Sequence, residues 1–326
     1  MKEDEIAGLD GDWSGFTPAE RTAYAFARKF TFEPNRLRDA DIDGLRKHYT
    51  DRQILEMILS MAGNNAINRW KEGTGVPQNA SGGGVGGGKG ESPPREPAAK
   101  HSYVTPTSDA FKSRITKVAP LTPAAVGSGP TCKAVSVRPE LEPRAEVEKM
   151  LAAARQRTPR LPLVEEAKAR ELLGANAPEG PLPQWVRLLA TFPTQGKARI
   201  VGQRSGEDAK WDLSPLLKAR AAWVIARQDR AWYAAGRAKA WLKRLGQTDD
   251  EIYRLDGDWS YLPSAERALL TVARKLAASP IVLSDTDVAE ALKLTGPKEV
   301  VQMISYTTTC ASFDRITEAA GLQLEE

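Results

Sequence analysis

Only four of the 326 residues are cysteine or histidine: Cys132 and Cys310, His48 and His101. Two thiols cannot build a disulfide framework, a four-cysteine zinc site or an iron–sulfur site, and two imidazoles cannot build a histidine-rich metal site. Acid–base or anion chemistry would have to come from other groups. The densest set is Gln228-Asp229-Arg230 followed by Trp232-Tyr233 and Arg237. In a pocket, Arg230 or Arg237 would hold an anion beside Trp232, and Asp229 or Tyr233 would carry a proton. The plainer reading, and the favoured one, is an Asp–Arg pair at a helix end with aromatic core packing.

Other motifs carry less. LDGDWS offers two carboxylates, too few oxygens for a calcium loop, so a turn anchored by a buried Trp is expected. GGGVGGGKG (82–90) has the spacing of a phosphate loop from Gly83 to Lys89, but Gly90 replaces the Ser or Thr and no strand precedes it. Six of the eight Trp lie between Trp185 and Trp259. Trp185, Trp223, Trp232 and Trp241 could line an apolar cavity, although core filling is the commoner fate. His48 reads as a cation near a helix C-terminus. No metal and no cofactor is expected.

The elements that would position these residues are helical. Thr17-Pro18-Ala19-Glu20, Thr50-Asp51-Arg52-Gln53 and Thr248-Asp249-Asp250-Glu251 are capping boxes, and Ser214-Pro215 is a helix start. Helices are predicted near 145–156, 164–174, 183–191, 214–229, 230–245 and 249–254, with further helices in both repeated segments. No alternating strand pattern competes, so the fold class is all-α.

LDGDWS occurs twice, at Leu9–Ser14 and Leu255–Ser260, and the match continues at a constant offset of 246. Lys29, Asp41, Met57, Arg69 and Gly75 meet Lys275, Asp287, Met303, Arg315 and Gly321. About a third of the positions from Leu9 to Gly75 are identical, which predicts duplication of one unit. Arg69 and Arg315 are expected to pair with Glu72 and Glu318 along their helices. Three domains follow: a half-copy at 1–76 equivalent to 255–322, a Gly/Pro-rich disordered linker at 77–144, and a complete helical domain at 145–326. Ten of the 22 prolines fall between Val76 and Met150.

The segment LSPLLKARAAWVIARQDRAWYAAGRAKAWLKRLGQTDDEI (213–252), with the flanking AERALLTVARKL and ASFDRITEAAGL, resembles the carboxymuconolactone decarboxylase superfamily and its alkylhydroperoxidase D-like branch. That resemblance implies an alkylhydroperoxidase D-like helical bundle with a partial second copy. The branch carries a Glu, eleven residues, Cys-x-x-Cys, three residues and a His. On this chain the Glu falls on Ala219, the two Cys on Ala231 and Ala234, and the His on Ala238. A methyl group is neither nucleophile nor acid, so a lost thiol-peroxidase site is expected, with the protein acting as a ligand-binding or assembly module. The alternative is a non-thiol enzyme of lyase or decarboxylase type acting on a carboxylated small molecule. The resemblance also implies a homo-oligomer joined through helical interfaces. A small apolar or carboxylated ligand fits either reading.

Composition bounds the rest. Net charge is +4 with a pI near 8.9, hydrophobic residues are 41% and charged residues 27%. The charges are interspersed, so no nucleic-acid partner is expected. No apolar run approaches a membrane span, and the first residues, MKEDEI, lack the apolar core of a secretory signal. A cytoplasmic protein is expected.

Overall fold

The computed structural model describes residues 8–9, 13–76, 141–207 and 212–325, and these are all-α, with no strand among them. GGGVGGGKG, Cys132, His101 and most of the expected linker lie outside the described residues. The described chain resumes at Leu141, shortly before the expected end of that linker.

The N-terminal segment forms α1 (Pro18–Phe32), α2 (Asp39–Arg46) and α3 (Asp51–Thr74). The C-terminal segment begins with α4 (Arg144–Arg155), α5 (Glu166–Leu173), α6 (Gln184–Leu189) and α7 (Pro193–Glu207). It continues with α8 (Pro215–Asp229), α9 (Trp232–Arg244) and α10 (Asp249–Arg254). It ends with α11 (Ser264–Ala277), α12 (Asp285–Leu294) and α13 (Pro297–Ala320).

The caps explain the boundaries. The Thr17, Thr50 and Thr248 hydroxyls accept from the third backbone N–H of their helices, and Glu20, Gln53 and Glu251 reach back. Each such cap is worth about 1 kcal/mol. Helix α7 has no counterpart among the predicted helices. It carries Gly196, Gly202 and Gly206, poor helix formers that hide the pattern. Packing decides there: a Cβ on Gly196 would stand 2.1 Å from the Leu189 carbonyl oxygen, so only glycine lets α7 close on α6.

The elements of the repeat match at the offset seen in the sequence. Helices α1, α2 and α3 begin at 18, 39 and 51; α11, α12 and α13 begin at 264, 285 and 297. Trp13 and Trp259 both adopt left-handed backbone, at φ 61° and 62°. Their indoles donate to Leu9 O at 2.8 Å and Leu255 O at 2.6 Å. Lys29 donates to Asp41 at 2.7 Å, and Lys275 to Asp287 at 2.5 Å. Both long helices end at a left-handed glycine, Gly75 and Gly321. The LDGDWS segment therefore acts as a Trp-anchored turn in its second occurrence, where Trp259 is buried.

Helices α3 and α13 lie along each other and make the most extensive contact in the molecule. Phe30, Ile54 and Ile58 from the first segment are fully buried. Each contributes roughly 1.5–3 kcal/mol. Helix α13 is buried around most of its circumference, from Val300 to Ala320, and is the central element. A Cβ on Gly73 would stand 2.9 Å from Ile304 Cγ2 and 3.1 Å from Leu276 Cδ2, so glycine sets how closely α3 approaches α13 and α11.

Candidate functional site

Every fourth residue of α13 from Tyr306 carries a polar group: Tyr306, Cys310 and Asp314. Spacing by four puts them on one face. That face meets α9 through Ala234, Arg237, Ala238 and Trp241, and α7 through Gln203 and Glu207, around a cavity of about 230 Å3. A Cβ on Gly206 would lie 3.3 Å from the Tyr306 ring, so this glycine leaves room for the phenol.

The electrostatics of this face are those of neutral acids. Burial, the Asp229 charge and, less strongly, Glu318 push the Asp314 carboxyl well above the usual carboxylate range; Arg315 and Arg69 oppose this only in part. Asp314 is 1% exposed, and its Oδ2 has no hydrogen-bond partner. A protonated acid with a free oxygen is a hydrogen-bond donor and a proton source. Burial, and then the neighbouring Asp314, push the Cys310 thiol well up, although the Tyr306 hydroxyl donates to it. Burial and the Cys310 contact also raise Tyr306. A thiol held protonated is a poor nucleophile. Ser60, Asn64 and Asn68 stand at the matching positions of α3, so the polar spacing recurs there without an ionisable group.

The residues singled out from sequence divide among three places. Ala234, Ala238 and Arg237 line the cavity. Ala231 is the N-cap of α9, buried one turn away, and Ala219 is buried in α8. The other polar candidates engage partners elsewhere. Asp229 accepts from Arg315 Nη1 at 2.7 Å and from its Nη2 at 3.3 Å. Arg230, in left-handed backbone at φ 53°, pairs with Glu142. Burial pushes Glu142 up, but hydrogen bonds from Arg230 and Arg227 outweigh it and leave its carboxyl below the usual range. Trp232 lies under the Arg227 guanidinium, 5.4 Å from it. The Tyr233 hydroxyl donates to Glu325 Oε2 at 2.9 Å, and burial raises it well above an ordinary phenol.

Two expected pairings are corrected. Arg315 turns to Asp229, not Glu318, and Glu318 takes Arg157 at 3.0 Å. Arg69 donates to Asn65 Oδ1 and to the Leu276 and Ala278 carbonyls, not to Glu72. Both arginines sit on buried helix faces, where a partner across the bundle is nearer than one along the solvent side. Burial, and secondarily Arg315, push Arg69 down to about 9, so it keeps its charge at neutral pH.

The four tryptophans separate as well. Trp241 lines the cavity, and Trp223 is core, donating to Asp256 Oδ1 at 2.9 Å. Trp185 belongs to a second cavity, of about 220 Å3, which shares Gln203 and Phe313 with the first. Sequence reasoning missed Tyr306 and Asp314 and set Cys310 aside. The signal was there, three polar groups spaced by four in a helix with no polar face. Gln203 and Glu207 were hidden with α7. Among the described residues, no group of three or more His, Cys, Asp or Glu could hold a metal, and no helix is long and apolar enough to cross a membrane.

No family model and no curated protein matches the chain. A solved structure, a variant of the debrominase Bmp8 in complex with 2,3,4-tribromopyrrole, is similar to it at 16% identity and a TM-score of 0.41. That match covers 59% of this chain and 92% of that one.

Proposed function

We propose that this is a carboxymuconolactone decarboxylase-like protein, of the alkylhydroperoxidase-like kind and duplicated in part, that has lost thiol-peroxidase chemistry and binds a small carboxylated molecule. One observation carries the reading: Ala234 and Ala238, where the family resemblance calls for a thiol and an imidazole, line a cavity that also holds Arg237 and the neutral acid of Asp314. The guanidinium supplies the charge for a carboxylate and Asp314 supplies a hydrogen-bond donor. Cys310 does not restore the redox chemistry, because burial keeps its thiol protonated. The test is peroxide reduction with a dithiol reductant, run beside calorimetric titration with small mono- and dicarboxylates. No turnover and a carboxylate affinity reduced in Arg237→Ala are expected. Turnover that survives Cys132→Ser with Cys310→Ser overturns the reading.

A second reading is a lyase or decarboxylase. The unpartnered Oδ2 of Asp314 favours it, since an uncharged acid in a cavity can protonate a carbanion or enolate. In that case Asp314, rather than Asp229 or Tyr233, is the proton donor.

Residues 13–76 belong to the same proposal. The half-copy docks on the C-terminal segment in the place that an identical unit of a two-fold dimer would take. Arg69 of α3 reaches carbonyls at the end of α11, and Arg315 of α13 reaches the Thr31 carbonyl at the end of α1. Such reciprocity is the mark of an isologous contact. Further association through helical faces and a cytoplasmic setting complete the reading.

A further inference from the structure

The cavity beside Ala234 and Ala238 carries charges of opposite sign towards its two ends. Tyr306 and Phe313 both line it, two turns apart on one face of α13, a rise of roughly 10 Å. Arg237 marks the Phe313 end, with its guanidinium carbon 5.9 Å from the centre of that ring. Glu207 marks the Tyr306 end. A Cβ on its neighbour Gly206 would lie 3.3 Å from the Tyr306 ring, so α7 delivers Glu207 beside the phenol. The electrostatics agree. Burial, the Cys310 contact and then the Glu207 charge raise the Tyr306 hydroxyl, and the same charge adds, after burial and Asp314, to the rise at Cys310.

The Glu207 carboxylate is half-buried and accepts from Gln203 Nε2 at 3.2 Å. Among the described residues no Lys, Arg or His forms an ion pair with it. Arg244 also lines the cavity, but it is exposed and lies outside ion-pair distance of Glu207. A carboxylate held partly out of water with no cation beside it carries a desolvation cost that a bound cation offsets. Trp241 and Tyr306 present aromatic surface to the same space, and an ammonium is drawn to aromatic faces. A second carboxylate on the ligand would instead meet Glu207 as a like charge.

We propose that this cavity binds a small amino acid as its zwitterion, with the carboxylate on Arg237, the ammonium on Glu207 and a short methylene chain between them. The inference rests on the carboxylate-binding reading of the same cavity and adds the second charge to it. Because the two protein charges stand towards opposite ends, an amine several carbons from the carboxylate spans them better than an α-amino acid, whose charged groups share one carbon. The size fits. An apolar cavity of about 150 Å3 holds benzene. 4-Aminobutyrate is of similar bulk, and this cavity measures about 230 Å3.

Calorimetric titration of the full chain with 4-aminobutyrate, butyrate and glutarate tests the proposal. The three ligands share a carboxylate and differ at the far end, which is an ammonium, a methyl or a second carboxylate. 4-Aminobutyrate is expected to bind at least about tenfold more tightly than butyrate, the contribution of one charge-assisted pair. Glu207→Gln keeps an acceptor oxygen for Gln203 and removes the charge. It is expected to bring 4-aminobutyrate to within about threefold of butyrate and to leave butyrate no weaker than before. Arg237→Ala is expected to weaken both. Butyrate or glutarate binding the wild-type chain as tightly as 4-aminobutyrate overturns the inference and leaves the carboxylate reading in place. So does an amine advantage that persists in Glu207→Gln. Binding of none of the three overturns both. The wild-type series decides by itself if Glu207→Gln fails to fold.

Discussion

Arg69 and Arg315, at equivalent positions of the repeat, donate to the same hydroxyl, Ser279 Oγ, at 2.7 and 3.0 Å. Two guanidiniums therefore converge in the interior, and Asp229 is the carboxylate that Arg315 grips with both terminal nitrogens. Burial pushes the neighbouring Asp314 carboxyl well above the usual carboxylate range, so Asp229 is the counter-ion of Arg315 here. Asp229→Ala would leave the buried Arg315 guanidinium without its ion-pair partner. Removing one member of a buried pair costs about 3–5 kcal/mol. Urea denaturation followed by circular dichroism should show a loss of that size, and a loss below about 1 kcal/mol would mean that the pair is dispensable.

The glycine at 73 governs the approach of the long helices. Gly73→Ala places a methyl inside contact distance of Ile304 and Leu276. Overpacking of this kind costs about 1–3 kcal/mol. Gly202→Ala in α7 meets nothing within 4 Å and should be neutral or stabilising by up to about 1 kcal/mol, as is usual for glycine in a helix interior. Melting temperatures of the two variants should move in opposite directions or, at the least, differ clearly.

Asp314 makes stability depend on pH. Its carboxyl holds a proton in the folded chain at pH values where the unfolded chain has released it. The native state then binds more protons than the unfolded state, so stability is full below the ordinary carboxylate range and declines as pH rises towards the folded value. The slope is about 1.4 kcal/mol per pH unit for one proton. Asp314→Asn removes this contribution, and its stability relative to wild type should grow from pH 4 to pH 7 in denaturant titrations. A constant difference across that range would exclude a buried neutral acid.

Thiol labelling checks the state of Cys310. Its raised pKa leaves little thiolate at neutral pH. In a Cys132→Ser background, a disulfide reagent at pH 7 should label the native protein at least tenfold more slowly than the protein in denaturant. Equal rates would show an accessible, ionised thiol and would reopen redox chemistry at this position.

The half-copy should stay attached when its covalent tether is cut. With a protease site placed in GGGVGGGKG and cleaved, the two pieces are expected to co-elute in size-exclusion chromatography, because α3 and α13 bury each other. Separation of the pieces without denaturant would contradict the proposed internal dimer contact.

The helices, most of their caps and the two matched segments are legible in the amino-acid sequence, because a cap or a helical turn is settled within three or four residues. Thr17, Thr50 and Thr248 cap as their spacing predicts. The methyl groups at Ala231, Ala234 and Ala238 are likewise a matter of sequence. The partners of the buried charges are not. Asp229 and Arg315 are 86 residues apart, and nothing local distinguishes Asp229 as a proton carrier from Asp229 as a counter-ion. Tertiary structure alone assigned that role. It also brought Tyr306, Cys310 and Asp314 onto the face of Ala234 and Ala238, folded the glycine-rich α7 against α6, and opened a second cavity between α3 and α13. Cavities and buried ion pairs depend on where whole helices come to rest, and close packing across distant segments sets those positions.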